Sequence, residues 1–193
     1  MSVNLLETVQ KNLGYPDLKK VDPNTEVPKG EEKQGGQHEF GQAAIPAILT
    51  GMYKYVQVDE GARDFLEDDH SGEPWVDKVF FDHTTEAVQS ISSYASSEMH
   101  DPVAEMNKIA SEAERVVKEN LPADADIKDV KLFFKDQRNT LLKYLLPELN
   151  MGEWLHEPSL DDKTNKMEGP ISSLMNKIGA SLSNIEEPKS EDK

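Results

Sequence analysis

All five histidines of this chain stand next to an acidic residue: His38-Glu39, Asp69-His70, Asp82-His83, His100-Asp101 and His156-Glu157. Imidazole and carboxylate together are the usual ligands of zinc, iron and manganese. A metal centre built on a helical bundle needs such ligands three or four positions apart, so that they project from one face. His83 and Glu86 have that spacing, and His100 with Asp101 would bring the set to four. The order, however, is His-x-x-Glu, the reverse of the Glu-x-x-His pairs of di-metal bundles, and no second copy accompanies it. His38 and His156 fall at the edges of linker-like stretches. With 37 acidic residues among 193, adjacency of this kind arises easily by chance. The metal candidates are therefore His83, Glu86, His100 and Asp101, weighed against a solvated acidic surface. No cofactor is expected.

Other chemistry finds less support. Glu67-Asp68-Asp69-His70 with Glu73 offers oxygen ligands, but lacks the alternating acids, central glycine and closing glutamate of a calcium loop. Ser90, Ser92, Ser93, Ser96 and Ser97 cluster without a Gly-x-Ser-x-Gly elbow to expose one of them. They read as the polar flank of a surface helix. Gly35-Gly36 has no following Lys-Ser/Thr, so it makes no phosphate cradle. Trp75 and Trp154 read as core anchors. The signs lean against catalysis.

The charge balance narrows the partners. Acidic residues outnumber basic ones 37 to 21, for a net charge of -16. Nucleic-acid binding needs Lys and Arg to displace phosphate counterions, and anionic membrane surfaces repel such a chain. Neither is an expected partner. There are no cysteines, which removes disulfides, thiol catalysis and cysteine-held metals together. The start, MSVNLLETVQKNLGY, has no cationic leader, and no stretch approaches the roughly eighteen apolar residues of a membrane span. The expectation is a cytoplasmic protein.

These residues must be positioned by helices. Val3, Leu5, Leu6, Val9 and Leu13 make a short amphipathic helix, capped by Asn4 with Glu7 three residues on, and ended by Gly14. Residues 16–37 hold three prolines and many charges and read as linker. Glu39 to Val58 is strongly apolar. Pro46 inside it either kinks one helix or starts another, at a cost of about 3 kcal/mol if internal. Asp59 is placed to cap a short helix. Val76 to Phe81 could be a strand, but a lone strand has nothing to pair with. Thr84 or Thr85 can cap the helix bearing Val88, Ile91, Tyr94 and Ala95. Asp101-Pro102 opens the most regular helix, with a face of Val103, Met106, Ala110, Ala113 and Val117. Asp126 caps the last, in which KDQRN is either an exposed turn or a break.

Beyond a second linker, EGPISSLMNKIGASLSNIEE at 168–187 carries Ile171, Leu174, Met175, Ile178, Leu182 and Ile185 at helical steps. Pro170 suits its first turn. A helix this short is marginal alone, so its stripe needs a partner surface in this chain or another.

Several segments resemble the YidB-like bacterial helical proteins, a family of unknown function. They are NLLETVQKNLG at 4–14, AAIPAILTGM at 43–52, the pair around SISSYASSEM and DIKDVKLFFK, LLKYLLPELNMGEWL at 141–155, and GPISSLMNKIGASL at 169–182. They cover about half the chain in the expected order. The chain is more acidic, and residues 59–83 have no counterpart there. The resemblance implies a small helical bundle and brings no catalytic residues.

The sequence thus reads as all-α: a small helical bundle with flexible polar linkers and a detached C-terminal amphipathic helix. Its divisions are an N-terminal helix (1–15), linker (16–37), helical core (39–155), second linker (156–169), C-terminal helix (170–186) and a disordered tail (187–193). The function this suggests is a non-enzymatic interaction or scaffold module, with Ile171, Leu174, Met175, Ile178 and Leu182 as contacts for the core, a protein partner or a second copy. The alternative is a metal-dependent bundle enzyme.

Overall fold

A computed structural model describes residues 3–22, 28, 37–67, 74–95, 100–157 and 160. The protein is all-α. Helix α1 spans Leu5–Asn12, α2 Gln37–Val56, α3 Asp59–Leu66, α4 Trp75–Phe80, α5 Thr84–Tyr94, α6 Pro102–Asn120, α7 Ile127–Leu142 and α8 Met151–Trp154. Short 3-10 turns, Phe81–His83 and Pro147–Leu149, lead into α5 and α8. Among the described residues there is no strand, only an isolated bridge between Val21 and Pro28.

Helix α2 is the axis. It touches α1, α3, α4, α5, α6 and α7, and every residue from Glu39 to Tyr53 is buried. A helix apolar all round has no solvent face to present, so it ends in the middle of a bundle. Pro46 lies within this single helix, so it neither starts a second nor ends the first. Its missing N–H deprives only the Gln42 carbonyl, four residues back, of a helical donor. Gly51 faces α4: a Cβ there would stand 2.0 Å from Val79 Cγ1, so glycine sets how closely the two helices approach.

The caps read from sequence fall in place at three helices. Asn4 Oδ1 accepts the Glu7 N–H, Asp101 the Ala104 N–H, and Asp126 with Asp129 forms a reciprocal capping box on α7. Two others differ. Asp59 is the first residue of α3 rather than its cap, and its carboxylate goes to Lys131 on α7. α5 follows directly on a 3-10 turn, so the position before it is His83, and Thr84 Oγ1 donates backward to the Phe81 carbonyl. Val76 to Phe81, considered as a strand, is helical through Phe80. The KDQRN stretch lies inside α7, where Gln137 is buried and Lys135, Asp136 and Asn139 are exposed.

The N-terminal helix and the bundle share one core. Leu5, Leu6 and Val9 are fully enclosed, and α1 lies against α6, α2 and α7. The first residues of the stretch read as flexible linker are fastened down as well. Gln42, buried on α2, bonds both the N–H and the carbonyl of Lys19, and the Val21 N–H donates to the Lys143 carbonyl at 2.8 Å. Composition suggested freedom; backbone bonds to a buried amide remove it. The second linker starts in the same way, with Glu157 bonded to Lys54 at 2.7 Å and Leu160 buried. Residues 170–186 and 187–193 lie outside the described residues.

Candidate functional site

The four metal candidates occupy helix entrances. His83 is half-buried just before α5, Glu86 is exposed in the first turn of α5, and His100 and Asp101 are exposed where α6 begins. The Asp101 carboxylate is engaged as a helix cap, 2.9 Å from the Ala104 N–H. Among the described residues, no group of three or more histidines, aspartates or glutamates could hold a metal ion. His83 meets His156 instead, ring centroids 6.1 Å apart at 65°. The proposed contacts Ile171, Leu174, Met175, Ile178 and Leu182 lie outside the described residues.

Close to His156 the surface opens into a groove of about 630 Å³, within the usual 300–1,000 Å³ range of binding pockets. Its wall begins at the end of α2 with Lys54 and Tyr55 and continues with Val58, just before α3. Glu60, Gly61 and Asp64 follow from α3, Val79 and Phe81 from α4 and its exit, and Trp154, Leu155 and His156 from the end of α8. Three aromatic rings and several aliphatic side chains therefore converge on one concavity.

The rings are held in position. Tyr55 stands edge-on to Trp75 at 6.0 Å and lies 6.3 Å from Phe81. Its hydroxyl donates to Asp64 Oδ2 at 2.9 Å, and Lys78 Nζ donates to both oxygens of the same carboxylate at 2.8 and 3.0 Å. The Lys78 ammonium also lies 5.4 Å over the Trp75 ring. Asp64 thus fixes Tyr55 from one side while Trp75 supports it from below. On the far wall, Trp154 packs perpendicular to the buried Phe80 at 6.2 Å. Gly61 lets α3 fold back on α2: a Cβ there would stand 2.2 Å from the Tyr55 carbonyl oxygen.

Phe81 is the unusual member. It is 67% exposed, and its backbone sits at φ 49 and ψ −124, where a side chain is strained. Val58, across the groove, is 61% exposed. Burial would remove the cost of exposing the ring, yet the chain holds it outward on strained backbone. Phe80 goes inward, fully enclosed, and the reversal at Phe81 sends the next ring to the rim. The Phe-Phe pair was the available sequence signal, since neighbours on a helix are about 100° apart and cannot share one buried line. In the sequence the pair reads only as the end of a possible strand, Val76 to Phe81. Tyr55 and Val58 closed an apolar run and carried no separate signal.

The rim is polar. Lys54 pairs with Glu157 at 2.7 Å, Glu60 is exposed, and His156 is exposed beside His83. No described helix is long and apolar enough to cross a membrane. Comparison with known proteins found no family model that matches this chain and no similar curated protein or solved structure.

Proposed function

We propose that this protein is a non-catalytic interaction module whose Tyr55–Phe81–Trp154 groove receives an amphipathic α-helix. The observation that carries the reading is Phe81, an exposed aromatic held on strained backbone at the edge of a preformed apolar concavity. Strain persists where the surroundings over-determine it, and it gathers at ligand clamps. Exposed apolar surface rimmed by polar groups marks interaction sites. Helix-in-groove binding uses side chains at i, i+3, i+4 and i+7 set into such a surface. Aromatic anchors with few rotatable bonds lose little entropy when a partner covers them. The resemblance to YidB-like helical proteins fits this reading, as it carries no catalytic residues.

The test is a titration of isotope-labelled full-length protein with a synthetic helix carrying a Leu/Ile stripe, against a scrambled peptide of the same composition. Amide shifts gathered at Val58, Val79, Phe81 and Trp154 for the striped peptide alone support the module. Equal responses to both peptides, or shifts centred elsewhere, refute it.

A further inference from the structure

Resting on that reading of the groove, we infer that its resident occupant is the chain's own C-terminal segment, residues 170–186, so that an external helix must displace it. The chain leaves the described structure at the groove itself. Trp154, Leu155 and His156 line it, Glu157 is pinned to Lys54 on its wall, and Leu160 is buried a few residues on. The nine residues 161–169 can span at most about 30 Å, at 3.3–3.6 Å per residue. That exceeds the roughly 25 Å length of a 17-residue helix, so the tether can lay the segment along the groove in either direction. The segment carries side chains suited to an apolar groove: Leu174, Met175, Ile178 and Leu182 recur at helical steps in the sequence, with Asn176 and Lys177 between them. Its own stripe is too short to fold unsupported. A tether this short raises the local concentration into the millimolar range, so even a modest intrinsic affinity keeps the groove filled. The result is self-regulated access, in which partner binding is set by competition against a covalently attached helix.

The absence of cysteine makes the test clean. Ala180→Cys, on the face opposite the stripe, takes a nitroxide label in the full-length chain. Broadening of the Val58, Val79, Phe81 and Trp154 amides, lost when Leu174→Asp and Ile178→Asp are added, is the expected result. A label that broadens another surface, or none, overturns resident occupancy. A peptide of residues 168–187 is then titrated into wild type and into the Leu174→Asp/Ile178→Asp chain. Cis occupancy makes binding to wild type about tenfold weaker or more. Equal affinities would also overturn resident occupancy while leaving the groove as a helix site. No peptide binding to the opened chain at the groove removes the occupant proposed here, and the striped model helix decides separately whether the groove binds any helix.

Discussion

Gln137 and Leu5 lie 132 positions apart in the chain, yet the Leu5 N–H donates to Gln137 Oε1 at 3.0 Å in the buried interior. The same amide returns a bond from Nε2 to the Val3 carbonyl at 3.0 Å. One side chain in the middle of α7 therefore satisfies the Leu5 N–H, a donor that a helix start leaves unpaired, and the Val3 carbonyl just ahead of α1. Gln137→Leu keeps the size and removes both bonds. It should cost about 1–3 kcal/mol in urea unfolding, the penalty of stranding buried backbone groups. Hydrogen exchange of the α1 amides should rise most. Unchanged stability would mean that the apolar contacts of Leu5, Leu6 and Val9 hold α1 by themselves.

Gly51 and Val79 should behave as a coupled pair. Gly51→Ala forces a methyl to within 2.0 Å of Val79 Cγ1 unless the helices part, and overpacking of this kind costs about 1–3 kcal/mol. Adding Val79→Ala should recover part of that loss even though it destabilises when made alone. A double-mutant cycle measures the coupling, and strict additivity would show that α4 simply shifts aside.

Phe81→Gly tests whether stability has been given up for exposure. Glycine adopts φ 49, ψ −124 without strain, and the strain released is about 1–3 kcal/mol, set against a glycine entropy cost of about 0.5–1 kcal/mol. The variant should be at least as stable as wild type by thermal unfolding while binding the striped helix more weakly. A clear loss of stability would assign Phe81 to packing against Tyr55.

Glu39 is enclosed near the start of α2, and neither of its carboxylate oxygens has a hydrogen-bond partner among the described residues. Burying such a group unpaired is costly. Glu39→Met should therefore raise the urea midpoint, by about 1–3 kcal/mol of stability. A decrease would show that the carboxylate is paired in solution.

Alkali should weaken the fold through Tyr15. Its phenol is pushed well above the ordinary range by burial first, then by the hydrogen bond to Glu105 Oε1 at 2.8 Å and the charge of that carboxylate. A pKa raised in the folded state leaves stability intact below the unfolded value of about 10. Above it the unfolded chain releases a proton that the native protein keeps, so stability falls by about 1.4 kcal/mol per pH unit for this group. Tyr94 is raised in the same direction, by burial and then by Glu148 and Glu39. Comparing urea midpoints at pH 8 and pH 11 should show a shallower decline in Tyr15→Phe than in wild type. Parallel declines would place the alkaline sensitivity elsewhere.

Much of the fold was legible from residue order alone, because the forces that start and stop helices are local. Asn4, Asp101 and Asp126 cap their helices through amides two or three residues away, so their types and spacing carry the information. The apolar beat of α6 and the apolar run of α2 marked an amphipathic helix and a broadly buried stretch in the same way, while whether Pro46 kinks one helix or starts another stayed open. The class of the fold followed.

What tertiary structure alone decided are the long-range pairings. Asp59, placed to cap α3, is drawn to Lys131 on α7, whose hydrogen bond and charge hold its carboxyl below the usual range. The polar stretch 16–22 is held by Gln42 and Lys143, neither of which is visible as a partner in sequence. His83, paired by spacing with Glu86, contacts a ring 73 positions later. The groove belongs to the same class. Its walls come from α2, α3, α4 and α8, and a concavity is a property of how packed helices leave space between them. Phe80 and Phe81 are chemically identical in the chain. Tertiary packing encloses Phe80, with Trp154 among its neighbours, and the backbone reversal at Phe81 leaves the next ring on the rim.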